Sequence, residues 1–262
     1  MSDAESNEPD RSRRAVSVAA VTDIGPREEN QDRAFTAVSD DGAWVIAVAD
    51  GLGGHPRGAE AAVAAVEGLP RRIDGEAEMA VAFTEANERV LALSASGSRP
   101  VPLREIPMST LCVAAWTPEG GLLIGWMGDT MAFILRHGHD GFAGYCCGIP
   151  HRGPFGGIES CLGMPPEDAG YGVGLADVEV MADFEDSDMP GAVIIASDGA
   201  WEPLAADYGD IEWLWDASPA GIGSACDPES GDAAAIAESV LTSARSFGLN
   251  DNATVAVAYW RT

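Results

Sequence analysis

The sequence predicts a layered α+β fold on three observations. Apolar runs of strand length occur in groups, and two helical patterns follow one another directly. The connections between the middle strands are also too short to contain crossover helices, so those strands read as antiparallel neighbours.

Residues 1–14, MSDAESNEPDRSRR, contain almost no large apolar side chain and are expected to form a disordered tail ahead of one domain over 15–262. AVSVAAV (Ala15–Val21) alternates as a strand does. After the polar turn TDIGPREENQD come RAFTAVS and WVIAVAD, two further strands. The period then changes. GAEAAVAAVEGL places Ala59, Val63, Val66 and Leu69 at helical spacing, and EMAVAFTEANERVLAL does the same with Met79, Phe83, Ala86, Val90 and Leu93. STLCVAAW, GLLIGWMGD and TMAFILRHG return to strand patterning and read as consecutive neighbours. Residues 140–175, rich in Gly and Pro, carry no period and read as a loop or small irregular lobe. GAVIIASDG is another strand. A polar stretch, a helix near Gly231–Phe247 and the closing strand DNATVAVAYW complete the chain.

Composition narrows the function. Asp and Glu total 42 against 15 basic residues, every one of them arginine, for a net charge of −27. Nucleic acid and anionic membrane are repelled by such a chain. No apolar run reaches membrane-span length, and no signal-peptide pattern opens the sequence. Cys112, Cys146, Cys147, Cys161 and Cys226 are odd in number and lack C-x-x-C spacing, which fits reduced thiols in a cytoplasmic protein. P-loop, nucleophile-elbow and H-E-x-x-H motifs are absent, and Pro56 breaks the dinucleotide pattern in GLGGHPRG.

One design recurs. VIAVAD-G brings an apolar strand to Asp50 and Gly51, VIIASD-G does so at Asp198, IGWMGD-T at Asp129, and D-N-ATVAVA begins with Asp251. A carboxylate at the end of a core strand is costly unless its charge is compensated. Arginine is scarce and none lies beside these acids in sequence. Hard divalent cations could compensate them together, because Mg²⁺ and Mn²⁺ prefer oxygen ligands and can share bridging carboxylates. Glycine beside the acid leaves room for its carbonyl to approach an ion.

The ordered set TDIGPREENQDRAF, AVADGLGGHPRGAEAA, STLCVAAW, GWMGDTMAFILRHG, VIIASDGAWEPL and DNATVAVA resembles the metal-dependent protein phosphatases of the protein phosphatase 2C family, bacterial type. The resemblance implies a four-layer α-β-β-α sandwich with two central antiparallel sheets. It implies a cytoplasmic serine/threonine phosphoprotein phosphatase, working as a monomer, in which hydroxide bridging two Mn²⁺ or Mg²⁺ ions attacks phosphate directly. Asp50 would bridge the ions, with the Gly51 carbonyl facing one of them. Asp198 and Asp251 would complete the first, Asp32 would support the second, and Asp129 would help hold a third. Arg27 would grip the phosphate. Phosphorylated Ser/Thr proteins would be the substrates and a kinase the natural partner. The acidic surface favours peptides with basic flanks.

The chain departs from the family pattern at four places. Gln31 replaces a common acid beside Asp32. Leu52 stands where some members carry a histidine, leaving water or His55 as the candidate proton donor. The segment following the Asp129 strand, GFAGYCCGIPHRGPFGGIES, lacks the usual acidic-histidine pattern. Thr130-Met131 replaces a common Ser-Arg pair, which removes an arginine from the third-ion neighbourhood. His137, His139 and His151 lack ligand spacing, while Trp201, Trp213 and Trp215 read as packing residues. Two other functions fit the sequence: a catalytically weak module that binds phosphoproteins or regulates a kinase, and a plain acidic cation-binding protein.

Overall fold

A computed structural model describes residues 15–94, 102–117, 121–138, 141–153, 156–165, 177–181, 191–205, 222 and 231–261. The proposed tail over 1–14 and residues Trp213, Trp215, His139 and Cys226 lie outside the described residues.

The strands are β1 (Ala15–Asp23), β2 (Asp32–Val38), β3 (Trp44–Asp50), β4 (Leu111–Thr117), β5 (Gly121–Met127), β6 (Met131–Gly138), β7 (Gly141–Cys147), β8 (Asp177–Met181), β9 (Gly191–Ala196) and β10 (Ala253–Arg261). Between them lie α1 (Gly58–Val66), α2 (Glu76–Ala92), the single-turn α3 (Asp198–Trp201) and α4 (Ala233–Phe247). Among the described residues they form two five-stranded sheets of order β1-β10-β9-β6-β7 and β2-β3-β4-β5-β8, with every pairing antiparallel.

Side-chain alternation explains the layers. Trp44, Ile46 and Val48 on β3 meet Val193 and Ile195 on β9 and Ala256 and Ala258 on β10 in a core between the sheets. The intervening Val45, Ala47 and Ala49 turn outward onto α1 and α2. Ala192, Ile194 and Ala196 turn outward onto Trp201 of α3 and Ile236, Val240 and Leu241 of α4. Each central strand is buried on both faces, which is why its sequence is continuously apolar. The four-layer sandwich is the expected fold. α4 is capped by Asp232, whose carboxylate accepts from Ala235 N–H at 2.8 Å.

Four details differ from the sequence reading. In α1 the buried face is Ala59, Ala61, Ala62, Ala64 and Ala65, while Val63 is 38% exposed. Alanines let the helix lie close to its sheet and to α2, and that closeness outweighs the larger hydrophobicity of valine. β5 and β6 are not neighbours, because the turn after Met127 carries the chain from one sheet to the other. Gly128 makes that turn at φ +103°, where its own Thr110-facing side has no room for a Cβ. Finally, the stretch read as loop over 140–175 opens with β7, which pairs with β6 from Ala132↔Cys147 to Gly138↔Gly141. β8 pairs with β5 and was not anticipated.

Candidate metal centre and phosphate site

Antiparallel strands enter and leave the same end of a sheet, and this gathers acids far apart in sequence. β3 ends at Asp50 and β9 runs into Asp198. β2 starts at Asp32, β6 follows Asp129 and β10 follows Asp251. Asp50, Asp129, Asp198 and Asp251 line one cleft of about 330 Å³, together with Gly51 and His55. Asp32 sits beneath it, 2% exposed, directly opposite Asp50 in the β2–β3 register.

The surroundings fix these acids. Asp50 N–H donates to Thr110 Oγ1 at 3.0 Å, and Thr110 N–H donates to the Asp50 carbonyl at 2.8 Å. Ser197 Oγ donates to Asp32 Oδ2 at 2.8 Å, a bond from one sheet to the other, and accepts from Thr254 N–H at 2.9 Å. Asn252 anchors the 24–31 turn: Oδ1 accepts from Gln31 N–H, and Nδ2 donates to the Ile24 and Glu29 carbonyls. Ser197 was not marked by sequence reasoning, although it adjoins an acid that was. Gly51 is needed for close approach, since a Cβ there would overlap the Gly58 backbone at the start of α1. Gln31 donates toward Glu29 Oε2 at 3.3 Å and lies over Gly58, outside the cleft lining.

Crowding raises the carboxyl pKa values. Asp50 is held well above the ordinary carboxylate range by burial and then by the charges of Asp32, Asp198 and Asp129. Burial also raises Asp32, against the hydrogen bond from Ser197. Asp198 is pushed from 3.8 to about 7 by burial, then by Asp129 and Glu202, with Arg152 opposing.

Arginine does reach this cluster, contrary to the expectation drawn from sequence neighbours. Arg152 donates from Nε to Asp129 Oδ2 at 2.6 Å, from Nη2 to Asp198 Oδ2 at 2.9 Å and from Nη1 to Glu202 Oε1 at 2.5 Å. Burial works against its charge, but Asp129, Glu202 and Asp198 outweigh that and raise its pKa. The arginine missing at Met131 is thus supplied beside Asp129 by another segment. Arg27 donates from Nη2 to Asp251 Oδ2 at 2.5 Å and remains 45% exposed at the cleft rim. His55 donates from Nδ1 to the Ile106 carbonyl at 3.1 Å, because a carbonyl can only accept. His151 is buried beside the Asp129 turn, where Nδ1 accepts from Gly128 N–H at 3.2 Å.

The donor set fits hard divalent ions. Asp32 Oδ1 and Asp198 Oδ1 are buried without a hydrogen-bond partner. Carboxylate oxygens from both sheets surround a space whose acids cannot all ionise unaided. Among the described residues no group of three or more His, Cys, Asp or Glu side chains is drawn tightly enough to hold an ion by itself. Arg152 bonds Asp129 and Asp198, and Arg27 bonds Asp251, so three of the acids are already paired with guanidinium groups.

Fold and cleft together define the class, that of the bacterial serine/threonine protein phosphatases. The chain is similar to the solved Streptococcus agalactiae serine/threonine phosphatase, with 20% identity, TM-score 0.68, and 94% of this chain and 99% of that one covered. It is similar to the PPM Ser-Thr phosphatase MsPP from Mycobacterium smegmatis, with 25% identity, TM-score 0.64, and coverage of 92% and 97%. Staphylococcus aureus Stp1 matches at 15% identity, TM-score 0.68, over 93% and 94% of the two chains. No curated protein matches the sequence. The family profile described as Protein phosphatase 2C matches residues 24–155, half of the chain, and the chain belongs to that family.

No helix among the described residues is long and apolar enough to cross a membrane. Cys112, Cys146, Cys147 and Cys161 are buried.

Proposed function

We propose that this chain is a divalent-metal-dependent phosphatase acting on phosphoserine and phosphothreonine in proteins. The observation that carries the reading is the convergence of Asp32, Asp50, Asp129, Asp198 and Asp251 from both sheets, with buried carboxylate oxygens on Asp32 and Asp198 left unpartnered. Asp50, Asp198 and Asp251 would hold one Mn²⁺ or Mg²⁺, while Asp50 and Asp32 would serve a second, with the Gly51 carbonyl facing one of the two. Bound there, such ions supply charge neutralisation and acidify water for attack on phosphorus.

The protein's own groups do the rest. Arg27, exposed at the rim, can leave Asp251 and offer a fork of donors to the phosphate oxygens. Its charge persists at any working pH. His55, fixed through Nδ1, presents its other ring nitrogen as a candidate proton carrier for the departing serine or threonine oxygen. No Ser or Cys lines the cleft among the described residues, and Thr110 Oγ1 is engaged with Asp50 N–H and Thr130. That leaves no unengaged hydroxyl and no thiol among the described lining residues to carry a phosphoryl group. The M. smegmatis phosphatase was crystallised in complex with cacodylate, a tetrahedral oxyanion shaped like phosphate.

The test is hydrolysis of p-nitrophenyl phosphate and a phosphothreonine peptide with EDTA, Mg²⁺ or Mn²⁺ added. Metal-dependent phosphate release, lost in Asp50→Asn and Asp251→Asn proteins that remain folded, is the expected result. Silence from folded wild-type protein at millimolar Mn²⁺ would overturn the reading and favour a phosphoprotein-binding role.

A further inference from the structure

Arg152 is seated too firmly to be an incidental surface arginine. Its neighbours clip the segment onto the β5–β6 turn: His151 N–H donates to the Gly128 carbonyl at 2.9 Å, and Trp126 Nε1 donates to the Ile149 carbonyl at 3.0 Å. Glu159 N–H closes the next turn onto the His151 carbonyl at 2.8 Å. The side chain is 23% exposed, lies 5.7 Å above the centre of the Trp201 ring, and spends its donors on Asp129, Asp198 and Glu202. Trp201 is itself held by Nε1 donation to the Asp129 carbonyl at 3.0 Å.

A guanidinium bonded to three half-buried or buried carboxylates is a fixed cation in a site of limited solvent. An ion binding between Asp129 and Asp198 must first displace it, losing three charge-assisted hydrogen bonds and a contact with an indole face. Asp32 and Asp50 are free of this competition, since neither is bonded to Arg152, and the partner of Asp251 is the more exposed Arg27. We propose, resting on the metal reading above, that Arg152 takes the place of a third ion. The Asp129 side of the cleft is neutralised by the protein, and the chain holds two divalent ions, where the family resemblance implies a third. Arg152 is then a positioning residue, orienting Asp198 toward the first ion through one carboxylate oxygen while the other, Oδ1, stays unpartnered.

Counting bound Mn²⁺ by equilibrium dialysis and native mass spectrometry decides the matter without recourse to activity. Wild type and Arg152→Lys, which keeps a cation, are expected to bind two ions through the millimolar range. Arg152→Gln is expected to bind a third and to show a larger rise in Tm on Mn²⁺ addition. If Arg152→Gln does not fold, the double variant Arg152→Gln/Glu202→Gln removes one of the acids left unpaired and is expected to give the same count. Three ions on wild type, or two on a folded Gln variant, overturn the inference and leave the metal reading intact. No ion on any of the proteins overturns both.

Discussion

Asp32 and Asp50 are register partners on the terminal rung of the β2–β3 ladder, two carboxylates on one face with burial raising both pKa values. Neighbours so placed cannot both be ionised without a cation between or beside them.

The first consequence is a pH dependence of the metal-free protein. Asp32, Asp50 and Asp198 all titrate higher when folded than the ordinary value of 3.8, Asp198 at about 7. The folded state therefore binds more protons than the unfolded one, and stability present below about pH 4 is lost as pH rises toward 7. Thermal melts in EDTA are expected to show Tm falling across that interval. With saturating Mn²⁺ the trend reverses, because protons then compete with the ions. A Tm in EDTA that climbs over the same range contradicts the crowding described here.

Gly51→Ala tests the close approach of β3 to α1. The new Cβ would overlap the Gly58 carbonyl, and backbone cannot swing aside as a flexible side chain can. Destabilisation of about 1–3 kcal/mol is expected, with loss of metal-dependent turnover even at temperatures where the variant is folded. Wild-type stability by urea denaturation would show that the helix start yields freely.

Arg27→Ala separates phosphate binding from metal binding. Removing a charged donor fork is expected to raise KM for a phosphopeptide by about 10–100-fold, the worth of one strong charge-assisted bond. Its partner Asp251 is relieved of an ion pair that is 45% and 32% exposed on its two sides, so Mn²⁺ affinity should hold or rise. An unchanged KM would place the phosphate elsewhere.

Val63→Ser and Ala62→Leu test the α1 face. Val63 is exposed and its replacement should move stability by less than about 0.5 kcal/mol. Ala62 is fully buried, and the added volume should cost about 1–3 kcal/mol. The opposite ranking in chemical denaturation would restore the face drawn from hydrophobic spacing.

Much of this architecture was legible because central strands buried on both sides leave a continuous apolar record, as in VIAVAD and GAVIIA. The acids were legible for the same reason, each breaking such a record at its end. α2 was read correctly, with Met79, Phe83, Ala86 and Val90 all buried. α1 was misread because spacing alone ranks valine above alanine, while close helix packing rewards the smaller side chain. β7 escaped notice because its glycines at 141 and 144 dilute the strand pattern, and β8 is only five residues long. Arg152 could not have been found from neighbours: its partners lie 23, 46 and 50 residues away. The one available signal was an arginine in the very segment that departs from the family pattern.

The stacked indoles of Trp44 and Trp260, 6.2 Å apart, stand where β3 begins and β10 nears its end, at the opposite edge of the sandwich from the acids. The two sheets are thus bound like the boards of a book. Dispersion and apolar contact form the spine, and a latch of opposite charges closes the fore-edge. The spine carries no titratable group, whereas the latch answers to pH and to ionic strength. Chemistry that must admit and release a phosphoprotein has been placed at the edge whose grip the solution can adjust.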